Sequence, residues 1–562
     1  MKRIASIWFV LALVFGGCHA DPDDPAGQAE ELSDPVRREN ALTNLQRLYT
    51  NTLADNDGDR ASEPVRNMAD AIAVKLNQAF LDNPTDNQNR LTMLDLMSEM
   101  RDERTVPALI EALDWRPEVN EEHAIRAARA LGTMDIPNDG KAAVVEAIAA
   151  AIRKVTQARP VDNRLRIELL RSLGALDHES AQPVLVEIAL RQDESQNFLI
   201  NRLAAQQLGN SAGQATIQPM IKALFLFAPS NPGMRMNDVA AEVLVRVGQP
   251  AVAPLLAVLN GTNAEANEIA EAYIEAVRAR DAGAAEQMSV RQITGGEATF
   301  TLGALGFREA MGPLLAETEA DDMFRRVNGS IALVRLNHNP ADRARVREAL
   351  MRVYTTLDDD PTAVQSKAQL VAAMRSLYDG EYIPFFREQA AESDLHPVVR
   401  LAAVTATAML ADKAEAEGLQ AWIASLDRPG DNNDDPYFQQ FQQGTEKAIT
   451  IAIECDSSIP CYIGKLSDTD VEIARKAAFM LGRLGRGNAD VITALVEKLG
   501  HPDVAVRLSV VAALDRVATE GSQAAVDKID ELRDTEEGRS VWTNFSREAL
   551  PIQARLRARA GN

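Results

Sequence analysis

A phrase recurs along this chain and limits what it can fold into. An apolar helical stretch ends in Leu-Gly or a close variant, a short turn follows, and a proline opens a second apolar stretch. The prolines are Pro107, Pro183, Pro219, Pro254, Pro313, Pro384 and Pro460, each followed closely by large apolar side chains such as Leu109-Ile110 or Phe385-Phe386. Proline at a helix start gives up only an N–H that would be unpaired anyway, and its φ suits the first turn. Glycine just past a helix end supplies a left-handed cap. The phrase therefore predicts helix, glycine stop, tight turn, proline start, helix. Such a pair has apolar surface on more than one side and must stack on its neighbours, which makes the chain an all-α solenoid.

The helix ends fall at Leu131-Gly132, Leu173-Gly174, Leu208-Gly209, Val247-Gly248, Leu305-Gly306 and Leu484-Gly485. Leu336-Asn337, Leu377-Tyr378 and Leu410-Ala411 occupy the same slot. The wider gap between Gly248 and Gly306 marks an insertion near residues 262–290, with a helix expected through Ala264–Arg280. The best-formed first helix carries Val471, Ala474, Ala478 and Leu481 beside Ile473, Ala477, Met480 and Leu484, a broad apolar face at helical period. Roughly eleven to thirteen pairs are expected over residues 90–535. Residues 41–89 read as an N-terminal helical cap with helices around Leu42–Leu53 and Val65–Leu81. Residues 536–562 read as a C-terminal cap with a basic helix through Gln553–Ala560.

The start of the chain carries a different signal. Met1-Lys2-Arg3 precedes an apolar run from Ile4 to Phe15, then Gly16-Gly17-Cys18. A basic start, a short apolar core and small residues make a secretory signal, too short to span a bilayer permanently. The Gly-Gly-Cys end resembles the lipobox of bacterial lipoproteins, with Phe15 where that family usually has Leu. The resemblance implies cleavage after residue 17, acylation of Cys18 and a lipid anchor in the cell envelope. His19 in place of Asp implies the outer membrane, with the folded body facing the periplasm. Residues 18–40 are acidic, contain Pro22, Pro25 and Pro35, and read as a flexible tether. With Cys18 lipidated, Cys455 and Cys461 remain as an even pair in an oxidising compartment and are expected to form a disulfide.

The phrase Asp470-Val471-Glu472-Ile473-Ala474-Arg475-Lys476-Ala477-Ala478, continuing to Leu481-Gly482-Arg483-Leu484-Gly485, resembles the HEAT repeat in its short PBS-lyase HEAT-like form. Ala474 sits where that form usually has Arg. The resemblance covers most of residues 90–535 and implies a packing module, with the second helix of each pair lining a concave face. Solvent-side candidates there are Glu111, Glu146, Glu187, Lys222, Glu317, Glu388 and Glu497, mostly acidic and suited to a basic protein partner. The run Asp431–Asp435 with Pro436, Tyr437 and Phe438 reads as a loop between repeats and a second candidate contact.

Little in the sequence points to chemistry. The six histidines, His19, His123, His178, His338, His396 and His501, are scattered over different repeats, whereas a metal site needs ligands that converge. The HEAT-type enzyme deoxyhypusine hydroxylase holds iron with several His-Glu pairs, and this chain has only His178-Glu179. In Asp55-Asn56-Asp57-Gly58-Asp59 the glycine falls at position four, not at the sixth position of a calcium loop, so an Asx-rich turn is expected. No phosphate-binding glycine loop or nucleophile elbow is present. A net charge of -23 disfavours nucleic acid. The expectation is a lipid-anchored, non-catalytic protein-binding scaffold without cofactor or metal. A lyase-type enzyme or accessory subunit and a surface receptor are the alternatives; aromatic residues at 5% argue against sugar stacking in the receptor.

Overall fold

The computed structural model describes residues 20–560 except 117–118, 159–160, 193–196, 210, 229, 337–339, 358–360, 426–435 and 535. Cys18 and the signal segment therefore lie outside the described residues, as does Asp431–Asp435. The described chain is an all-α solenoid, and twelve helix pairs run from Asn87 to Asp534. It divides into two compact units, residues 1–211 and 212–562.

The proline rule operates one or two residues later than expected. Pro107, Pro183, Pro384 and Pro460 take the second helical position, in helices starting at Val106, Gln182, Ile383 and Ile459. Pro219, Pro254 and Pro313 take the third, in helices starting at Ile217, Val252 and Met311. All of these positions still fall among the N–H groups that lack a helical partner. The Leu-Gly rule splits in two. Gly306 is a left-handed cap at φ 74° whose N–H bonds to Leu302 O. Gly132 and Gly174 instead lie inside the helices Glu121–Thr133 and Asn163–Leu176. A Cβ on Gly132 would sit 3.1 Å from the Cα of Ser172, so there the glycine lets two helices approach closely.

The first unit begins earlier than a tether at residues 18–40 would allow. Pro25–Glu31 is a helix capped by Asp24, and Gln28, Ala29 and Leu32 are buried. The next helix, Arg38–Asp55, is tied in by Arg38, which donates to Leu32 O at 2.8 Å, Asp86 at 2.7 Å and Asn83 at 2.9 Å. The tether reading fails because Ala29 and Leu32 are spaced to cover the helices Arg38–Asp55 and Glu63–Asp82, a signal too short to show as periodicity. From there each first helix packs on the next: Asn87–Met100, Glu121–Thr133, Asn163–Leu176, Phe198–Gln207.

In the second unit the first helices of the pairs are α1 (Asn237–Val247), α2 (Val290–Leu305), α3 (Met323–Arg335), α4 (Pro361–Arg375), α5 (Pro397–Leu410), α6 (Pro436–Cys455), α7 (Val471–Leu484), α8 (Val504–Val517) and α9 (Glu536–Arg559). Each packs on the next, and α9 packs back on α1 and α2, so the nine form a closed circuit. Helix α9 extends the basic helix expected at Gln553–Ala560 back to Glu536 and runs through Pro551. It buries Phe545, Ala549, Ile552 and Leu556. Tyr437 and Phe438 belong to α6, not to a loop. The insertion forms the helices Ala264–Arg278 and Ala282–Glu286. A hairpin pairing Phe227–Ala228 with Asn231–Arg235 was not foreseen; the run of turn formers Pro229-Ser230-Asn231-Pro232-Gly233 in the sequence was the available signal.

Candidate functional site

The closed circuit reverses the expected roles of the two helix layers in the second unit. The helices α1–α9 form the inner layer, and the second helix of each pair lies outside them. The physical reason is side-chain size. A Cβ on Gly303 of α2 would sit 2.9 Å from the Cα of Ala332 on α3, and one on Gly482 of α7 would sit 2.9 Å from the Tyr378 ring. Such contacts let the first helices pack closely and turn the chain tightly on that side. The second helices of this unit therefore do not line a concave face.

The candidate side chains on the second helices separate into two groups. Glu146, Glu187, Glu388 and Glu497 are exposed, and their carboxylates make no ion pair or hydrogen bond to another described residue. Glu111, Lys222 and Glu317 are engaged. Glu111 pairs with Arg90, whose guanidinium also stacks on Phe80 at 3.6 Å. Lys222 meets Glu265 at 2.8 Å. Glu317 is 5% exposed and holds Arg325 with two bonds of 2.7 Å, so it ties one pair to the next and cannot serve a partner. His19 and His338 lie outside the described residues, and the other histidines have structural work. His178, His396 and His501 accept backbone N–H groups at turns and helix starts, and His123 is buried beside Asn87 O at 3.0 Å. Cys455 and Cys461 are joined in a disulfide across the turn between α6 and the helix Ile459–Lys465, with Cα atoms 5.4 Å apart.

Inside the circuit, the C-terminal ends of the inner helices meet basic side chains from other inner helices. Arg555 of α9 donates to Ala304 O at the end of α2, and Arg483 of α7 donates to Leu410 O at the end of α5. Lys476 of α7 is fully buried and donates to Ala408 O, Met409 O and Ala411 O, each at 2.9 Å. Burial pushes its ammonium down to about 7, and Arg483 adds to that. All three acceptors are satisfied only by the protonated form, which has three N–H donors. A helix end carries unpaired carbonyls and partial negative charge, and these cations neutralise both.

One carboxylate anchors the closure. Asp515 of α8 accepts from Arg555 at 2.7 and 3.2 Å and from Arg559 at 2.8 Å. Burial acts to raise its pKa, but the two guanidiniums outweigh it and hold Asp515 below the usual carboxylate value. Its side chain is nevertheless 21% exposed, so the interior admits solvent.

Beside this anchor lies a group of residues that the sequence reading passed over. Tyr378 follows α4 in a left-handed conformation, φ 56°. Its ring stacks on Phe479 of α7 with centroids 4.4 Å apart, and the Arg516 guanidinium of α8 lies 5.7 Å from it. Arg516 reaches Leu377 O at 3.4 Å. Arg375 ends α4, three residues before Tyr378. Burial holds Arg375 below the usual arginine value, with Arg475 adding to the effect. The signal available in the sequence was Tyr378 itself, a bulky residue in the slot that Gly fills elsewhere.

Residues 463–542 match the family model for HEAT repeats. A comparison with curated protein sequences finds no match. Among solved structures, a mutant of Kap121p is similar at 11% identity, covering 93% of this chain and 69% of that one, with a TM-score of 0.44. Importin beta is similar at 13% identity, 98% and 75% coverage, and a TM-score of 0.37. Human deoxyhypusine hydroxylase in complex with glycerol is similar at 16% identity, 57% and 97% coverage, and a TM-score of 0.19. The chain is an all-α solenoid, with HEAT repeats matched at residues 463–542.

Proposed function

We propose that this chain is a non-catalytic, protein-binding scaffold held at a bacterial envelope membrane by a lipid on Cys18, facing the periplasm and favouring the outer membrane. The observation that carries the binding role is the set of exposed, unpaired carboxylates Glu146, Glu187, Glu388 and Glu497 on the second helices of four pairs, two in each unit. Unpaired carboxylates lose no internal partner when they meet a cation. Their repetition suits several weak contacts with a basic partner, and tethering to a membrane raises the local concentration of both.

The test is crosslinking in cells followed by purification of the tagged, lipidated protein and mass spectrometry. One abundant envelope protein is expected. It should be lost from Glu388→Lys/Glu497→Lys while the variant keeps its expression and helicity. Recovery of no partner, or of the same partner in the reversed-charge variant, counts against the binding role. Cys18→Ser tests the anchor separately: the mature form should leave the membrane fraction.

A further inference from the structure

The first residues of the described chain are pinned to the folded body. Ala20 donates its N–H to Glu31 at 2.9 Å, and its carbonyl accepts from Gln28 at 3.1 Å. Gln28 also donates to Asp21 O at 3.0 Å and accepts from Asn44 at 3.0 Å. Arg47 holds Pro22 O at 3.0 Å and Asp23 at 2.7 Å. A Cβ on Gly27 would sit 2.9 Å from that of Ala20, so the glycine makes room for the chain to lie against the helix Pro25–Glu31. Ala20 is thus fixed in place, and Cys18 is two residues away in the sequence. Two residues span at most about 7 Å.

The Glu31 oxygen that accepts from Ala20 also accepts from Arg37, at 3.2 Å. Arg37 closes a turn at residues 33–37, in which Asp34 pairs with Arg37 at 3.4 Å and accepts from the Val36 N–H at 2.9 Å. Pro35 and Val36 stand out from this turn. Val36, at 86% exposure, is the most exposed large apolar side chain among the described residues. A lone exposed valine needs no explanation. Its position beside the fixed start of the chain does.

A lipid on Cys18 sits where acyl chains meet headgroups, and each headgroup layer is about 5–8 Å thick. Ala20 cannot then leave that layer, and neither can the surface that holds it. Asp21, Asp23 and Asp24 follow Ala20, Asp34 lies in the turn, and the nearby Arg37 and Arg47 are already paired with Glu31 and Asp23. Such a surface gains nothing from anionic lipid.

We propose that residues 20–24 and the turn at residues 33–37 form a membrane-contact surface on the first unit, seated in the headgroups of a zwitterionic bilayer with Pro35 and Val36 against the lipid. The inference rests on the lipid anchor at Cys18 and adds that the body is held on the membrane without a free tether.

The full chain is purified from bacterial cells and placed in phosphatidylcholine vesicles that contain a lipid with a nitroxide quencher at its headgroup. Val36→Cys carries a bimane label; Cys455 and Cys461 are joined and do not react. Leu199→Cys is the reference, exposed at the start of the helix Phe198–Gln207, far along the stack of the same unit. The Val36 label should shift to the blue and lose most of its emission, and the Leu199 label should keep its own. A Gly/Ser spacer of about eight residues between His19 and Ala20, reaching about 15 Å, should restore the Val36 emission while the chain stays on the vesicles. Replacing part of the phosphatidylcholine with phosphatidylglycerol should lessen quenching at Val36. Equal quenching at the two sites, or quenching at Val36 that survives the spacer, overturns the contact surface and leaves the anchor standing. Stronger quenching with phosphatidylglycerol overturns the zwitterionic assignment. Recovery of the chain with Cys18 unmodified and unbound to vesicles overturns the anchor and the contact surface together.

Discussion

The two units are built from the same helix pair and connected internally in different ways. In the first unit arginines reach carboxylates one pair away: Arg126 to Asp95, 31 residues apart, and Arg129 to Glu168, 39 apart. The second unit has such bridges too, Arg308 to Asp342 and Arg347 to Asp379, and adds arginines that reach backbone carbonyls much further along the chain. Arg483 and Leu410 are 73 residues apart, Arg516 and Leu377 are 139, and Arg555 and Ala304 are 251. A stack of repeats is normally stabilised by nearest neighbours alone. The second unit adds contacts that hold only when the whole circuit is closed, so its stability should be cooperative where that of the first unit is local.

Removing residues 536–562 is the strongest way to break that contrast. It takes away the buried Phe545, Ala549, Ile552 and Leu556 together with Arg555 and Arg559. At roughly 1.5–3 kcal/mol for each of the three large side chains, the loss exceeds about 4 kcal/mol before the cations are considered. Hydrogen exchange should show α1, α2 and α8 losing protection while the helices from Arg38 to Gln207 keep theirs. Uniform loss across both units would show that they do not differ in this way.

Asp515→Asn sharpens the same point at a single side chain. It leaves Arg555 and Arg559 without their shared carboxylate, and breaking one side of a buried ion pair costs about 3–5 kcal/mol. Urea unfolding should register the loss in the second unit. The sign of the pH effect follows from the depressed folded-state value. The carboxylate's contribution is complete above its ordinary value of 3.8 and disappears as pH falls through the lower folded value. Closure should therefore be insensitive to pH between neutral and about 5 and weaken only in stronger acid. In Asp515→Asn that acid-dependent part should be missing.

The smallest expected effect is local. Reducing the Cys455–Cys461 bond opens a very short loop and should cost about 2.4 kcal/mol on chain-entropy grounds. Because the bond joins the end of α6 to the adjacent outer helix, exchange should rise at that turn and not at α9. Loosening of α9 on reduction would show that the circuit transmits a local change.

The repeat was legible because its signals are local. Proline at a helix start, glycine at an end and an apolar face at helical period depend on residues within one or two turns. The helix starts at Val471 and Val504 could be placed for that reason. The candidate sites were less legible. Glu317 and Glu388 look alike in sequence, yet one is locked to Arg325 and the other is exposed, a difference decided by which neighbour lies within reach. The cap reading of Gly132 and Gly174 failed in the same way, since a glycine inside a helix is needed only when another helix comes close. Tyr378 was visible as an exception to the Leu-Gly rule, but nothing nearby in sequence indicated that Phe479 and Arg516 would meet it.

The sequence by itself determined the helices, their pairing and the stacking of one pair on the next, because each rests on contacts close along the chain. Only the tertiary structure decided that the second unit closes, that its first helices are innermost and that Tyr378, Phe479 and Arg516 meet. Those outcomes depend on small differences in inter-helix distance at positions such as Gly303 and Gly482. Added over nine helices, these differences set whether the last helix meets the first.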